Sequence, residues 1–140
     1  MNKNGPIIII EDDIDDQMIL KEVFNKLKYP NKLVFFDRAL KAFDFLKSTS
    51  QQPFLILSDV NLPAQNGIEF KRQIDEDRQL REKSIPFVFY STAVDKNSVN
   101  TAYQELTVQG FFKKKNKYEE LKKDLKLIVD YWTTCKHPNS

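Results

Sequence analysis

Five short apolar runs, separated by segments with helical spacing, constrain the fold of this chain more than any other feature. The first run is four consecutive isoleucines, and the first, third and fourth runs show no polar alternation. Such runs are typical of strands covered on both faces, and their alternation with helices predicts parallel strands joined by right-handed crossovers. The sequence therefore predicts an α/β fold, a doubly wound parallel sheet with helices on both faces. The five predicted strands are Ile7 to Ile10, Leu33 to Phe36, Phe54 to Leu57, Phe87 to Tyr90 and Gly110 to Phe112.

The segments between and after these runs carry apolar residues three and four positions apart, which is the spacing of one helix face. The last segment, from Tyr118 to Trp132, has the clearest stripe, and the fourth runs from Val99 to Leu106. The third, around Phe70 and Ile74, is the weakest because residues 75–81 are strongly polar. We expect helix N-caps at Asp15, Asp37, Asp95 and Asn116.

Length and composition fit one domain over residues 1–140, with a core over about 6–133 and a short C-terminal tail, 136–140, in which His137 is a tail residue. The formal charge of +2 gives no overall reason to expect nucleic acid or an anionic membrane as a partner. The single cysteine, Cys135, permits no internal disulfide, and no apolar run is long enough to cross a membrane. We therefore expect a cytoplasmic protein.

A cluster of five acids among residues 11–16 directly follows the first strand. Repulsion makes such a cluster costly unless a cation or a helix N-terminus lies nearby. Taken alone, it is also explained by a capped and solvated turn. The third strand ends at Ser58 and Asp59, and ligands of open parallel sheets bind at the carboxyl ends of strands. If the second strand lies outside the first, Glu11, Asp12 and Asp59 converge into a pocket that suits Mg²⁺.

The fourth and fifth strands add complementary groups at the same edge of the sheet. The fourth ends in Ser91 and Thr92, and the fifth is followed by three lysines, 113–115. Acids for a metal, a hydroxyl and an ammonium are the set that phosphoryl transfer to a carboxylate requires. We therefore predict Asp59 as the nucleophile, assisted by a hydroxyl of the Ser91-Thr92 pair and by one of the three lysines.

With these motifs the chain resembles the receiver domain of a two-component response regulator, from Ile7 to about Trp132. The segment from Leu57 to Pro63, followed by Gly67, is similar to the phosphoacceptor motif of that family. The resemblance implies a flavodoxin-like fold with strand order 2-1-3-4-5. It also implies that Mg²⁺ is bound by Glu11, Asp12, Asp59 and the backbone carbonyl of Asn61, with Asp12 favoured over Glu11 as a direct ligand.

The resemblance assigns further roles at the ends of the last two strands. The switch hydroxyl lies five residues after Pro86, at Ser91, with Thr92 as the alternative if the loop is shifted by one. The phosphate-contacting lysine is Lys114, and Phe111 matches the aromatic residue whose rotamer follows activation. One position departs from the family, because Lys115 stands where a proline, often cis, is usual. We expect a trans bond there, since a non-proline cis bond costs about 3 kcal/mol.

The resemblance implies a stand-alone receiver that takes its phosphoryl group from a sensor histidine kinase or a histidine phosphotransfer protein. Beyond self-catalysed phosphotransfer and autodephosphorylation, no enzymatic activity is expected. On phosphorylation, Ser91 is expected to turn toward the phosphoryl oxygens and Phe111 to pack inward behind it. The change would alter the surface formed by the fourth helix, the fifth strand and the last helix, where an unidentified downstream protein binds.

Three alternatives belong to other classes. A phosphohydrolase similar to haloacid dehalogenases needs an acid two residues after the nucleophile, where this chain has Asn61. A flavodoxin-like cofactor carrier would have to place a phosphate beside the acids of residues 11–16, which repel it. A pseudo-receiver would serve only as an interaction module, and the presence of every site residue except the proline argues against it.

Overall fold

A computed structural model describes residues 2–139 of the protein. It contains one parallel sheet in which the strands lie in the order β2-β1-β3-β4-β5. The predicted strand order and the flavodoxin-like fold are therefore confirmed. Four predicted boundaries shift by one residue, because β3 begins at Leu55 rather than Phe54 and the ends of β3, β4 and β5 include Ser58, Ser91 and Lys113. The strands are β1 (Ile7–Ile10), β2 (Leu33–Phe36), β3 (Leu55–Ser58), β4 (Phe87–Ser91) and β5 (Gly110–Lys113).

Six α-helices connect and follow the strands, after a short 3-10 turn at Asn2–Asn4. The helices are α1 (Ile14–Leu27), α2 (Ala39–Ser48), α3 (Gly67–Glu76), α4 (Arg78–Lys83), α5 (Lys96–Glu105) and α6 (Tyr118–Thr134). The polar segment that weakened the third helical pattern contains the junction of α3 and α4. Asp77 ends α3 and also caps α4, where its carboxylate accepts a hydrogen bond from the backbone N–H of Leu80 at 3.0 Å. The crossover between β3 and β4 thus holds two helices rather than one.

Of the four predicted N-caps, only Asp95 is confirmed, and its side chain accepts a hydrogen bond from the backbone N–H of Ser98. The prediction of Asp15 is wrong because α1 begins earlier, with Asp13 as its cap. Asp37 and Asn116 each lie one residue before the cap, which is Arg38 in α2 and Lys117 in α6. Asp37 instead pairs with Lys41 at 3.2 Å.

Alternate residues of the central strands enter two cores, one on each face of the sheet. Ile7 and Ile9 pack toward α1 and α6, whereas Ile8 and Ile10 pack on the face covered by the other helices. All four isoleucines are buried. The unbroken apolar run follows from this arrangement, because each position of a two-sided strand is a core position.

Residues 136–139, which we expected to form a tail, lie against the fold. His137 is 1% exposed, its Nε2 lies 2.7 Å from the carbonyl oxygen of Phe54, and its ring stacks on that of Phe54. The side-chain amide of Asn139 donates to the carbonyl of Lys83 at the end of α4. This segment therefore supplies contacts to carbonyl groups beside the sheet and at a helix end, where partners are needed. Ser140 lies outside the described residues.

Within residues 2–139, the structure contains no helix that combines the length and the apolar character needed to cross a membrane.

Candidate functional site

The carboxyl ends of β1 and β3 bring the predicted acids together. Ile10 is paired with Ser58, and the backbone N–H of Asp59 donates to the carbonyl of Ile10 at 3.0 Å, so the residues that follow the two strands are neighbours. One carboxylate oxygen each from Glu11, Asp12 and Asp59 lies within 4.8 Å of the other two. This acidic cluster could bind a metal ion, and a set of carboxylates alone suits a hard divalent cation.

Asp59 lies at the base of the cluster and is 5% exposed. Its Oδ1 accepts hydrogen bonds from the Ser91 hydroxyl at 2.6 Å and from the backbone N–H of Asn61 at 3.0 Å. Its Oδ2 accepts one from Nζ of Lys114 at 2.8 Å. Donors from three parts of the chain therefore fix the orientation of this carboxylate.

Lys114 enters the site because β4 and β5 are paired in register. Ser91 is the partner of Lys113, and the backbone N–H of Lys114 donates to the carbonyl of Ser91 at 3.0 Å. The ammonium group contacts Asp59, Glu11 at 2.5 Å and Asp16 at 2.8 Å. Burial alone would lower the pKa of Lys114, but the hydrogen bonds to three carboxylates outweigh it and raise that pKa above its ordinary value. Lys114 therefore carries a positive charge in the pocket.

Asp16 is the site residue to which we had assigned no role. Its carboxylate is partly exposed and reaches Lys114 from the first turn of α1. The signal available in the sequence was its place in the acidic run that follows the first strand. Asp13, in the same run, caps α1 by accepting a hydrogen bond from the backbone N–H of Asp16 at 3.0 Å. The acidic run thus supplies both the N-cap of α1, Asp13, and side chains of the candidate site.

Glu11 is the more deeply buried member of the acidic pair, at 2% exposure, whereas Asp12 is exposed. Burial raises the pKa of the Glu11 carboxyl to about 7, against the opposing effect of Lys114. One Glu11 oxygen also accepts a hydrogen bond from the backbone N–H of Asp13 at 3.1 Å. The burial of Glu11 thus outweighs the favourable effect of the Lys114 ammonium group beside it.

Of the two candidate switch hydroxyls, the structure brings Ser91 to Asp59 and leaves Thr92 outside the site. Ser91 is fully buried and bonded to Asp59, whereas Thr92 is exposed. The Ser91 hydroxyl points into the site, toward Asp59. Phe111 is half-buried, and its ring packs on Phe89 with the centroids 5.4 Å apart.

Lys115, at the position where the family has proline, follows a trans peptide bond, as all described residues do. Its backbone N–H donates to the hydroxyl oxygen of Tyr90 at 2.8 Å. Its ammonium group lies 2.9 Å from a carboxylate oxygen of Asp124 in α6. The loop after β5 is therefore attached to both β4 and α6.

Comparisons with known proteins agree with this geometry. The sequence profile of the family described as "Response regulator receiver domain" matches residues 7–126. The chain is 30% identical over 131 residues to Response regulator Rcp1 of the cyanobacterium Synechocystis, covering 90% of this chain and 87% of that protein.

Solved structures give the same result. The phosphorylated cyanobacterial phytochrome response regulator RcpA superimposes with a TM-score of 0.85 at 26% identity, covering 98% of this chain and 99% of that one. The Mn²⁺-bound form of Rcp1 gives a TM-score of 0.82 at 27% identity, covering 96% and 99%. The chain therefore belongs to the response regulator receiver domain family, whose members are signalling domains of two-component phosphorelays.

Proposed function

We propose that this receiver accepts one phosphoryl group on Asp59 in a reaction that requires Mg²⁺. The observation that carries the proposal is the environment of the Asp59 carboxylate. It lies beside Glu11 and Asp12 on one side and accepts hydrogen bonds from Ser91 and Lys114 on the other. Cation ligands, a hydroxyl and an ammonium group thus surround a single nucleophile.

In the transfer step an oxygen of the Asp59 carboxylate forms a bond to the phosphorus atom of the donor. The bond from phosphorus to the leaving group breaks at the same centre, and the electron pair leaves with the donor's nitrogen or oxygen. With phosphohistidine the leaving imidazole takes up a proton, whereas with acetyl phosphate acetate departs as an anion. Autodephosphorylation is the attack of water on the same phosphorus, which releases inorganic phosphate and restores the carboxylate.

The residues that would hold Mg²⁺ are Glu11, Asp12, Asp59 and the backbone carbonyl of Asn61. When bound, the ion neutralises charge on the phosphoryl oxygens during transfer. The fit of the residues supports the metal, because the three converging side chains offer only carboxylate oxygens as ligands. The Mn²⁺-bound structure of the relative Rcp1 also supports it.

Ser91 and Lys114 would act on the phosphoryl group after transfer. Each already donates to a different oxygen of Asp59, so each needs only to exchange a carboxylate oxygen for a phosphoryl oxygen. A phosphoryl group carries a charge of about −1.5 to −2 and three strong acceptor oxygens, more than the carboxylate offers. The aspartyl phosphate would therefore hold both side chains more firmly than the free carboxylate does.

We further propose that the donor is a sensor histidine kinase or a histidine phosphotransfer protein, and that this receiver functions in the cytoplasm. The output would pass through the surface of α5, β5 and α6 to a downstream protein. Phe111 on β5 lies beside Phe89 behind the site, and Tyr103, Leu127 and Tyr131 are large exposed apolar side chains on the two helices. No nucleic acid or membrane partner is proposed.

Phosphorylation by acetyl phosphate, followed by intact mass, tests the transfer and its metal requirement. With Mg²⁺ we expect the mass to rise by one phosphoryl group, and with excess chelator we expect no increase. Equal labelling in chelator would contradict the role of the metal.

Backbone amide spectra with and without a beryllofluoride analogue of the phosphoryl group test the output surface. We expect shifts in α5, β5 and α6 that are lost in Ser91→Ala and retained in Thr92→Ala. Shifts confined to the loops around Asp59 would contradict this surface and favour a receiver without a switch.

A further inference from the structure

The loop that carries Lys114 is anchored by a hydrogen bond that a proline could not form. At the position after Lys114, a proline would lack the backbone N–H that Lys115 donates to Tyr90 at 2.8 Å. Tyr90 is the residue before Ser91 in β4, and it is buried in the core between the sheet, α1 and α6. The Tyr90 hydroxyl therefore contacts the loop after β5 from the core side of that loop.

Two further contacts fix the same loop. The backbone N–H of Lys114 donates to the carbonyl of Ser91, and the ammonium of Lys115 pairs with the largely buried carboxylate of Asp124. Burial raises the pKa of the Tyr90 hydroxyl above its ordinary value, so the hydroxyl remains neutral and available as an acceptor near neutral pH. The backbone N–H groups of Lys114 and Lys115 are therefore both fixed by hydrogen bonds to β4.

We propose that Tyr90 is a positioning residue for phosphoryl transfer, which acts through the Lys115 backbone to hold Lys114 toward Asp59, with Asp124 as a second anchor. The inference rests on the proposed function, because the orientation of the Lys114 side chain affects phosphoryl transfer only if Asp59 accepts a phosphoryl group. Tyr90 itself has no hydrogen bond to Asp59 among those of the described residues. The long side chain of lysine has many rotamers, so a fixed backbone is what narrows the positions of its ammonium group.

The first test is Tyr90→Phe, which removes the hydroxyl and keeps the ring in the core. Loss of one ordinary hydrogen bond corresponds to a change of about five-fold, and we expect phosphorylation by acetyl phosphate with Mg²⁺ to slow by roughly that factor. Amide hydrogen exchange at Lys115 should become faster. The matched control is Tyr118→Phe, since the Tyr118 hydroxyl is buried and has no hydrogen-bond partner within the described part of the chain. That control should leave both quantities unchanged.

A double-mutant cycle with Lys115→Pro separates positioning from a general effect on the core. Proline has no N–H for Tyr90 to accept, so Tyr90→Phe should slow phosphorylation in the wild-type background and have no effect in the Lys115→Pro background. Lys115→Ala keeps the N–H and should retain the effect of Tyr90→Phe. An equal effect of Tyr90→Phe in the wild-type and Lys115→Pro backgrounds would overturn the proposal, as would no effect in the wild type.

The exchange measurement does not depend on the proposed function. If the wild type accepts no phosphoryl group, the proposed function fails, while exchange at Lys115 still tests the anchor. If the wild type is labelled and exchange at Lys115 is the same in Tyr90→Phe, the positioning role fails and the proposed function stands. The NMR signal of the Lys114 ammonium group provides a direct readout, and we expect it to shift in Tyr90→Phe and to remain in place in Tyr118→Phe.

Discussion

Gly67 lies against the backbone of Asp59 so closely that a Cβ atom at position 67 would be 2.2 Å from the Asp59 carbonyl oxygen. That distance is far inside van der Waals contact, so α3 can begin where it does only with glycine as its first residue. The backbone N–H of Gly67 also donates to the carbonyl of Val60 at 2.8 Å. The start of α3 is therefore packed directly on the segment that carries the proposed phosphoacceptor.

We predict that Gly67→Ala destabilises the protein by about 1–3 kcal/mol, the usual cost of forcing extra volume into a packed region. Because the obstructing atoms are backbone, either Asp59 or α3 must move, and phosphorylation should slow as well. Urea unfolding and the rate of labelling by acetyl phosphate measure the two effects.

Gly110→Ala is the matched control, because a Cβ atom there would lie 3.3 Å from the nearest atom, in the movable side chain of Phe112. We expect a smaller loss of stability and an unchanged labelling rate. If Gly110→Ala is as harmful as Gly67→Ala, the close approach at Asp59 has no special consequence.

Asp12 and Asp13 are adjacent acids, and we predict that replacing the first affects Mg²⁺ binding whereas replacing the second affects stability. Asp12→Ala should abolish Mg²⁺ binding, because its carboxylate belongs to the acidic cluster. Asp13→Ala should retain Mg²⁺ binding and lose about 1 kcal/mol of stability, since its side chain caps α1. Calorimetric titration and urea unfolding of both variants decide the matter. Loss of Mg²⁺ binding in Asp13→Ala alone would reverse the assignment.

Lys114→Gln should bind Mg²⁺ more tightly than the wild type and accept a phosphoryl group more slowly. The ammonium group is hydrogen-bonded to Glu11, Asp16 and Asp59. Its removal leaves their negative charge uncompensated, so the carboxylates attract a cation more strongly. Lys113→Gln is the control, because Lys113 is exposed and makes no ion pair among those of residues 2–139. Weaker Mg²⁺ binding by Lys114→Gln would contradict the competition between lysine and metal.

A second buried lysine gives a prediction about stability. Lys71 is 4% exposed, and its ammonium group contacts Asp75 at 2.7 Å and Thr107 at 2.8 Å. Asp75→Asn leaves this charge buried without its counter-ion and should cost about 3 kcal/mol in urea unfolding. Lys71→Met should cost less, since Asp75 retains two hydrogen bonds from Thr107. The opposite order of the two costs would contradict this account.

The same carboxyl, that of Asp75, makes the stability of the protein depend on pH in acid. Burial acts to raise the pKa of Asp75, but hydrogen bonds from Lys71 and Thr107 outweigh it and hold that pKa below its ordinary value. Because the unfolded chain takes up this proton first, the contribution is fully present above a pH of about 4 and is lost as the pH falls further. Asp75→Asn should therefore unfold with a weaker dependence on pH below about 4 than the wild type does.

The sheet and most of the site could be predicted because they depend on strand ends. Apolar runs mark the strands, and strand pairing then places residues such as Glu11 and Asp59 side by side. The helix starts were harder, since a run of five acids offers several possible caps and local sequence does not choose among them. Asp13 caps α1 because of where the chain leaves β1, and the composition of the acidic run does not indicate that position.

Contacts between distant segments were the part that could not be predicted. The backbone N–H of Lys115, in the loop after β5, donates a hydrogen bond to the hydroxyl of Tyr90 on β4, and no residue pattern signals such a contact. His137 was expected in a tail, yet it fills a place beside Phe54 that only the folded sheet creates. The orientation of side chains could not be predicted either, as with the Ser91 hydroxyl that donates to Asp59.

The most direct test of the central claim is to find the residue that carries the phosphoryl group. The protein is labelled with acetyl phosphate and Mg²⁺ and treated with borohydride, which reduces an aspartyl phosphate to homoserine, and its peptides are then sequenced by mass spectrometry. We predict homoserine at position 59, and none there in Asp59→Asn. Homoserine at position 12, 13 or 16 instead, or a labelled protein that yields none, would contradict the account.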